Sequence, residues 1–242
     1  MQLNARAWEF VESTLASRDE LGLTIHRAEG GGRVIDCGID APAGLAAGVF
    51  LARLTLADLA DVTLASGAIA GVSCPEVVVR TDNPVAACMA SQYAGWQISV
   101  GDYFAMGSGP MRAACGSEEL FDEIGGREKA EHAVGALETR KQPDPTVFEY
   151  IASKTGVEPS AITLAVAPTA SLAGGLQVVA RSVETALHKL HAIGFDIARV
   201  ASGFGSAPLP PPVSDDLAAL GRTNDSVLYG SRVTLWVRGD DD

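Results

Sequence analysis

Gln177, Arg181, Glu184 and His188 recur three and four residues apart. On a helix turning about 100° per residue they fall within a strip roughly 60° wide. Arg181 and Glu184 are one turn apart, so a guanidinium and a carboxylate can meet. A carboxylate beside a fixed cation suits the activation of water, because it supplies a base and a partner that orients it. The plainer alternative is that such a strip is the solvated side of an amphipathic helix, where an Arg/Glu pair contributes little. Glu184, His188 and His191 include metal-ligating types, but a third strong ligand is not evident nearby, so no metal is expected.

The element that must carry the strip spans Ser171 to Ile193. Leu172, Leu176, Val179, Val183, Leu187 and Leu190 recur there as an apolar stripe on the opposite side. AITLAVAP before it and DIARV after it read as strands, a strand–helix–strand unit with active residues expected at strand ends and in the following loops. Further upstream, a helix from Asn4 to Leu21 is stopped by Gly22, and two strands flank the glycines at 30–32. A helix covers Ala43 to Leu59, and short strands lie near DVTLA and EVVVRT. Asn83 is expected to cap a helix with Pro84 in its first position. QISV and EHAVGALET read as strands and residues 145–155 as a helix.

Gly107-Ser108-Gly109-Pro110 lacks both the P-loop and the GxGxxG patterns, so it is a tight turn before a helix or a source of backbone N–H groups for an oxyanion. Arg222, Thr223, Asn224 and Asp225 are expected in a loop, where such a density of polar groups suggests ligand contact. The chain closes with the strand RVTLWVR and the acidic run GDDD. Pro143 and Pro145 mark the boundary between two lobes, 1–142 and 143–242. VIDCGIDAPAGLAAG and ITLAVAPTASLAGG echo each other: strand, proline, small residues, then a helix opening on Leu-Ala.

With 242 residues, 47% of them hydrophobic, and 26 glycines, the chain reads as a well-buried α/β protein. A net charge of −12 argues against nucleic-acid and anionic-membrane partners and is compatible with a small cationic substrate. No run reaches transmembrane length and no secretion signal is visible, so a cytoplasmic location is expected. Cys37, Cys74, Cys88 and Cys115 form no CxxC and read as reduced, mostly buried thiols.

Taken together, DNPVAACMASQYAGW, YFAMGSGPMRA, LAVAPTASLAGGLQVVARSVETALHKLHAIGFD, GFGSAPLPPP and GRTNDSVLYG resemble methenyltetrahydromethanopterin cyclohydrolase in order and spacing, as does VIDCG near the start. The resemblance implies a two-lobed mixed α/β fold, not a Rossmann fold, with a substrate pocket between the domains. It also implies a homotrimer without metal or cofactor, the tetrahydromethanopterin derivative being the substrate. By the same resemblance Arg181 and Glu184 are the catalytic pair, and Ser91, Gln92 and Tyr93 shape the site around the reacting carbon. Gly107, Ser108, Thr169, Ser171, Arg222, Asn224 and Asp225 lie in matching segments and are candidate substrate contacts. Arg80, Arg112, Arg199 and Arg222 are candidates to meet an anionic tail, with Arg222 favoured. Members of the family continue beyond RVTLWVR, so a shortened, non-catalytic relative that binds a pterin or serves in oligomerisation is the alternative. The same hydrolysis on a folate carrier is a third reading, against which the missing Rossmann fingerprint counts.

Overall fold

Two sheets with helices caught between them make up the fold in the computed structural model, which describes residues 2–239. The expected acidic end at Asp240 to Asp242 lies outside the described residues. One sheet runs β1-β2-β8-β7-β6-β5, with β1 (Thr24–Arg27), β2 (Arg33–Asp36), β5 (Trp96–Val100), β6 (Tyr103–Ser108), β7 (Ala133–Glu138) and β8 (Ile162–Ala167). Within it β2, β8 and β7 are parallel neighbours and the outer pairs are antiparallel. The second sheet runs β10-β9-β4-β3 and is antiparallel throughout, with β3 (Asp61–Ile69), β4 (Val72–Thr81), β9 (Val200–Pro208) and β10 (Arg232–Val237).

The alternation of side chains along the parallel strands assigns the helices to the two faces of the first sheet. Val34, Leu164 and Val166 pack with Val147, Phe148 and Ile151 of α5 (Pro145–Thr155) and Met111 of α3 (Met111–Cys115), which the short α4 (Leu120–Ile124) follows in the chain. Ile35, Val134, Ala136 and Ala165 face the other way, onto α1 (Leu3–Thr14) and α2 (Leu45–Thr55). Because α2 offers Phe50, Leu51 and Leu54 to this sheet and Ala52 to the core over the second sheet, it is apolar on nearly all sides. The same holds for α6 (Leu172–Val179), whose residues from Ala173 onward are all buried.

The sequence echo corresponds to two neighbouring copies of one unit. β2 pairs in parallel with β8, and the helices that follow them, α2 and α6, pack side by side. Close approach of the chain here requires glycine. A Cβ on Gly174 would stand 2.1 Å from the Pro168 carbonyl oxygen, and one on Gly48 2.8 Å from Leu176 Cβ.

Several expectations are corrected. The 142/143 boundary does not separate the sheets, since β8 inserts between β2 and β7, and β9 pairs with β4. Strand pairing is decided by edge complementarity, which a composition break does not report. The strand–helix–strand unit does not close as expected: DIARV is mostly a 3-10 helix (Ile197–Arg199), and β9, which begins at its Val200, belongs to a different sheet from β8. The long helix is two: α6 stops at Val179, and α7 (Ser182–Ala192) begins after a break at Ala180 and Arg181. Arg222 to Asp225 lie within the helix α8 (Asp216–Leu228), capped by Asp215 through its bond from Ala218 N (2.8 Å), and not in a loop. Asn83 gives no side-chain cap; its carbonyl accepts from Ala87 N (2.8 Å) instead. No helix among the described residues is long and apolar enough to cross a membrane.

Candidate active site

At the break between α6 and α7 the chain turns tightly, with Arg181 N bonded to the Val178 carbonyl (3.2 Å). Arg181 therefore leaves the α6 axis, while Glu184 sits in the first turn of α7. Arg181 Nε donates to Glu184 Oε2 (2.9 Å), and Nη2 lies 2.9 Å from the same oxygen. Glu184 Oε1 makes no hydrogen bond among the described residues. The side chains of Glu184 and Arg181 are 2% and 20% exposed, which rules out surface decoration. Placement near the start of α7 adds the favourable field of a helix N-terminus to that of the guanidinium.

The segment around Ser91 reaches this pair through an unusual helix. Residues Val85–Gln92 form a π-helix, closed by a bond from Tyr93 N to the Cys88 carbonyl (2.8 Å). Wide turns of this kind are uncommon and recur at functional sites. Gln92 Nε2 donates to the carbonyl of Ala180 at the helix break (3.2 Å), and its Oε1 is buried without a partner among the described residues. The Ser91 hydroxyl donates to the Thr55 carbonyl (2.5 Å), so its proton is committed to α2. Tyr93 stacks on His188 with ring centroids 5.0 Å apart. Three of the four members of the strip thus meet this segment or each other. The fourth, Gln177, is buried in the recess described below.

Arg112 holds the segment from behind. It is fully buried, donates to the carbonyls of Met89 (3.0 Å) and Ser91 (3.2 Å), and forks onto Glu118 (2.8 and 2.6 Å). Its guanidinium also lies over the Tyr93 ring, 4.9 Å from the centroid. Gly109, at φ +93°, turns its N–H onto the same Ser91 carbonyl (2.9 Å). The GSGP stretch is therefore a tight turn that braces the segment, and the Gly109 N–H is engaged within the protein. The Cys88 thiol beside it is pushed up by full burial and then by the charge of Glu184, and burial pushes Cys37 up as well. Both stay protonated, which leaves them poor nucleophiles.

Arg181 lines a cleft of about 460 Å³ together with Ala94, Phe104, Met106, Glu138, Thr169 and Leu220. A narrow recess continues from it past Ser108, Gly174 and Gln177. The cleft opens beyond the carboxyl ends of β7 and β8, the usual site of ligands in sheets of this kind. A larger depression of about 820 Å³ on the second sheet contains none of these residues. Its arginines are already engaged, Arg6 with the Ala57 and Asp58 carbonyls, Arg53 with Asp58 and Arg80 with Asp61.

The remaining candidates divide. Thr169 is on the cleft wall and donates to Glu138, Ser108 is in the recess, and Gly107 packs beneath it against Met111. Ser171 caps α6 by accepting from Gly174 N (3.0 Å) and shares a shallow neighbouring hollow with Arg222. Asn224 and Asp225 are exposed on α8 and line neither cleft nor recess. Arg80 and Arg199 stand elsewhere, in ion-pair and carbonyl contacts of their own. Arg112 is internal. Glu138 was missed, although an acidic residue closing the apolar strand AVGALE marks a strand end turned toward a site.

Fold and site together define an α/β protein whose buried guanidinium–carboxylate pair presents its arginine to a ligand-sized cleft, an arrangement suited to hydrolysis. The chain belongs to the cyclohydrolase (MCH) family, whose model matches residues 2–242. It is 50% identical over 220 residues to a methenyltetrahydromethanopterin cyclohydrolase of Methanosarcina mazei, covering 90% of this chain and 68% of the relative. The Methanosarcina barkeri enzyme of the same name is 46% identical, with 99% and 75% covered. That of Methylobacterium organophilum is 44% identical over the same shares.

Proposed function

We propose that this chain is a methenyltetrahydromethanopterin cyclohydrolase, which adds water across the methenyl bridge and opens the ring to the formyl derivative, reversibly. The buried Arg181–Glu184 ion pair, whose arginine lines the cleft, carries the reading. The bridging carbon lies between two nitrogens and bears delocalised positive charge, so it is electrophilic and needs an aimed water rather than a strong nucleophile. Glu184 takes one proton of that water as its oxygen bonds to the carbon. One C–N bond then breaks, the released nitrogen gains a proton, and the carbon keeps the oxygen as a formyl group. Balanced over the reaction, cation and water give the neutral formyl compound and one proton. Arg181 orients the carboxylate through Oε2 and positions the water or the formyl oxygen.

The resemblance and the family support a homotrimer at work in the cytoplasm without metal or cofactor. In this reading Ser91 to Tyr93 hold the segment that reaches the cleft wall at Ala94, and the hollow shared by Thr169, Ser171 and Arg222 takes the substrate tail. The test is direct. Mixing the protein with the methenyl compound should abolish its chromophore, whereas binding without spectral decay would make the chain a pterin-binding relative. A parallel assay with the methenylfolate should show much slower decay; equal rates would assign the activity to both carriers.

Arg181→Lys is expected to reduce kcat by about tenfold to a hundredfold, because an ammonium cannot engage carboxylate and water in the planar geometry of the fork. Steady-state rates of chromophore decay would check this. A lysine variant at wild-type kcat would reduce Arg181 to a plain counter-charge.

A further inference from the structure

We infer that Glu138 is a specificity-determining residue whose charge favours the cationic methenyl form over the neutral formyl product; the inference rests on the function proposed above. Glu138 ends β7, where its backbone is fixed between Met106 of β6 and Ala167 of β8. It lines both the cleft and the recess, as Arg181 does. Charge bookkeeping singles it out. Arg181 is committed to Glu184, and Asp216, the other carboxylate on the wall, pairs with Arg140 and accepts from Ala170 N (2.8 Å). Glu138 has only the Thr169 hydroxyl as a hydrogen-bond donor and forms no salt bridge among the described residues. The cleft therefore carries one carboxylate that no cation pairs with among the described residues.

The half-buried Glu138 shares the cleft with Ala94, Phe104, Met106, Leu217 and Leu220, and such apolar neighbours strengthen a carboxylate's attraction for a cation relative to open water. The reaction converts a cation into a neutral molecule. Glu138 would then stabilise bound substrate and the still-cationic transition state alike, and leave the formyl compound unaffected. Such uniform binding has a distinctive kinetic signature. For Glu138→Gln, KM for the methenyl compound should rise about tenfold or more, with hydrolytic kcat nearly unchanged. In the cyclisation direction kcat should fall by the same factor while KM for the formyl compound holds. The two values of kcat/KM must fall together, since an enzyme cannot alter the overall equilibrium. Glutamine keeps an oxygen to accept from Thr169, and Glu138→Asp, which keeps the charge, should recover much of the preference.

Both directions would be measured on wild type and the two variants, with circular dichroism checking that each variant folds. Calorimetric binding of the methenyl and formyl compounds would run in parallel, and the Gln variant should lose affinity for the methenyl compound alone. Unchanged constants, or equal losses for both compounds, would overturn the role of Glu138. A wild-type protein that binds the methenyl compound without consuming it would refute the proposed reaction. The calorimetric comparison would then still decide the charge preference.

Discussion

Glu184→Gln is expected to bind the methenyl compound nearly as well as wild type and to hydrolyse it about 10²–10⁴-fold more slowly, the range for loss of a positioned general base. Glutamine matches glutamate in size and can still accept from Arg181, so the arginine keeps its place in the cleft wall. It cannot take a proton from water. The effect should fall on kcat, with KM following the unchanged affinity. Thermal melting would separate chemistry from folding, because Glu184 is 2% exposed and Arg181 20% exposed, and loss of the carboxylate leaves the guanidinium partly desolvated. Turnover of the glutamine variant at the wild-type rate would remove Glu184 from the mechanism, and the spectral assay would detect this at once.

The largest effect on stability is expected at Arg112. In Arg112→Met a fully buried cation disappears, Glu118 loses both fork contacts, and the Met89 and Ser91 carbonyls lose a donor. Removing one partner of a buried pair costs about 3–5 kcal/mol. For a chain of this size that corresponds to a fall in Tm of about 6–20 °C. Glu118 is 21% exposed, so water offsets part of the loss and the lower half of the range is favoured. Activity should fall further than stability explains, since the π-helix carrying Ser91 and Gln92 loses its brace. Arg112→Lys, with charge but no fork, should fall between the two in Tm and activity. If melting and turnover of the methionine variant both matched wild type, Arg112 would be a passive filler.

The expectation of a polar strip opposite an apolar stripe describes the contacts well and the helix poorly. Leu176, Val179, Val183 and Leu187 keep their spacing across the break at Ala180 and Arg181, and all four join one core. Hydrophobic periodicity cannot register an interruption that preserves the phase of the stripe. The π-helix escaped notice for a related reason: Val85 to Ala90 is apolar and mostly small, and the carbonyls at the end of its wide turns are held by Arg112 and Gly109, which lie 21 and 18 residues beyond Ser91. Arg222 to Asp225 misled in the opposite way. Polar residues in succession suggest a loop, yet Ala219, Thr223 and Val227, spaced four apart, bury one side of α8.

Local spacing alone determined that Arg181 and Glu184 would touch, that β1 and β2 would form a hairpin, and that a repeated strand–helix unit would open on small residues. These depend on neighbours within a turn or two, where bond geometry leaves few choices. Only the tertiary structure decided that the ion pair is buried, that Ser91 faces Thr55, and that Glu138 shares a cleft with Arg181. Burial and charge balance are set by which distant strands and helices pack together, and 43 residues separate Glu138 from Arg181 along the chain.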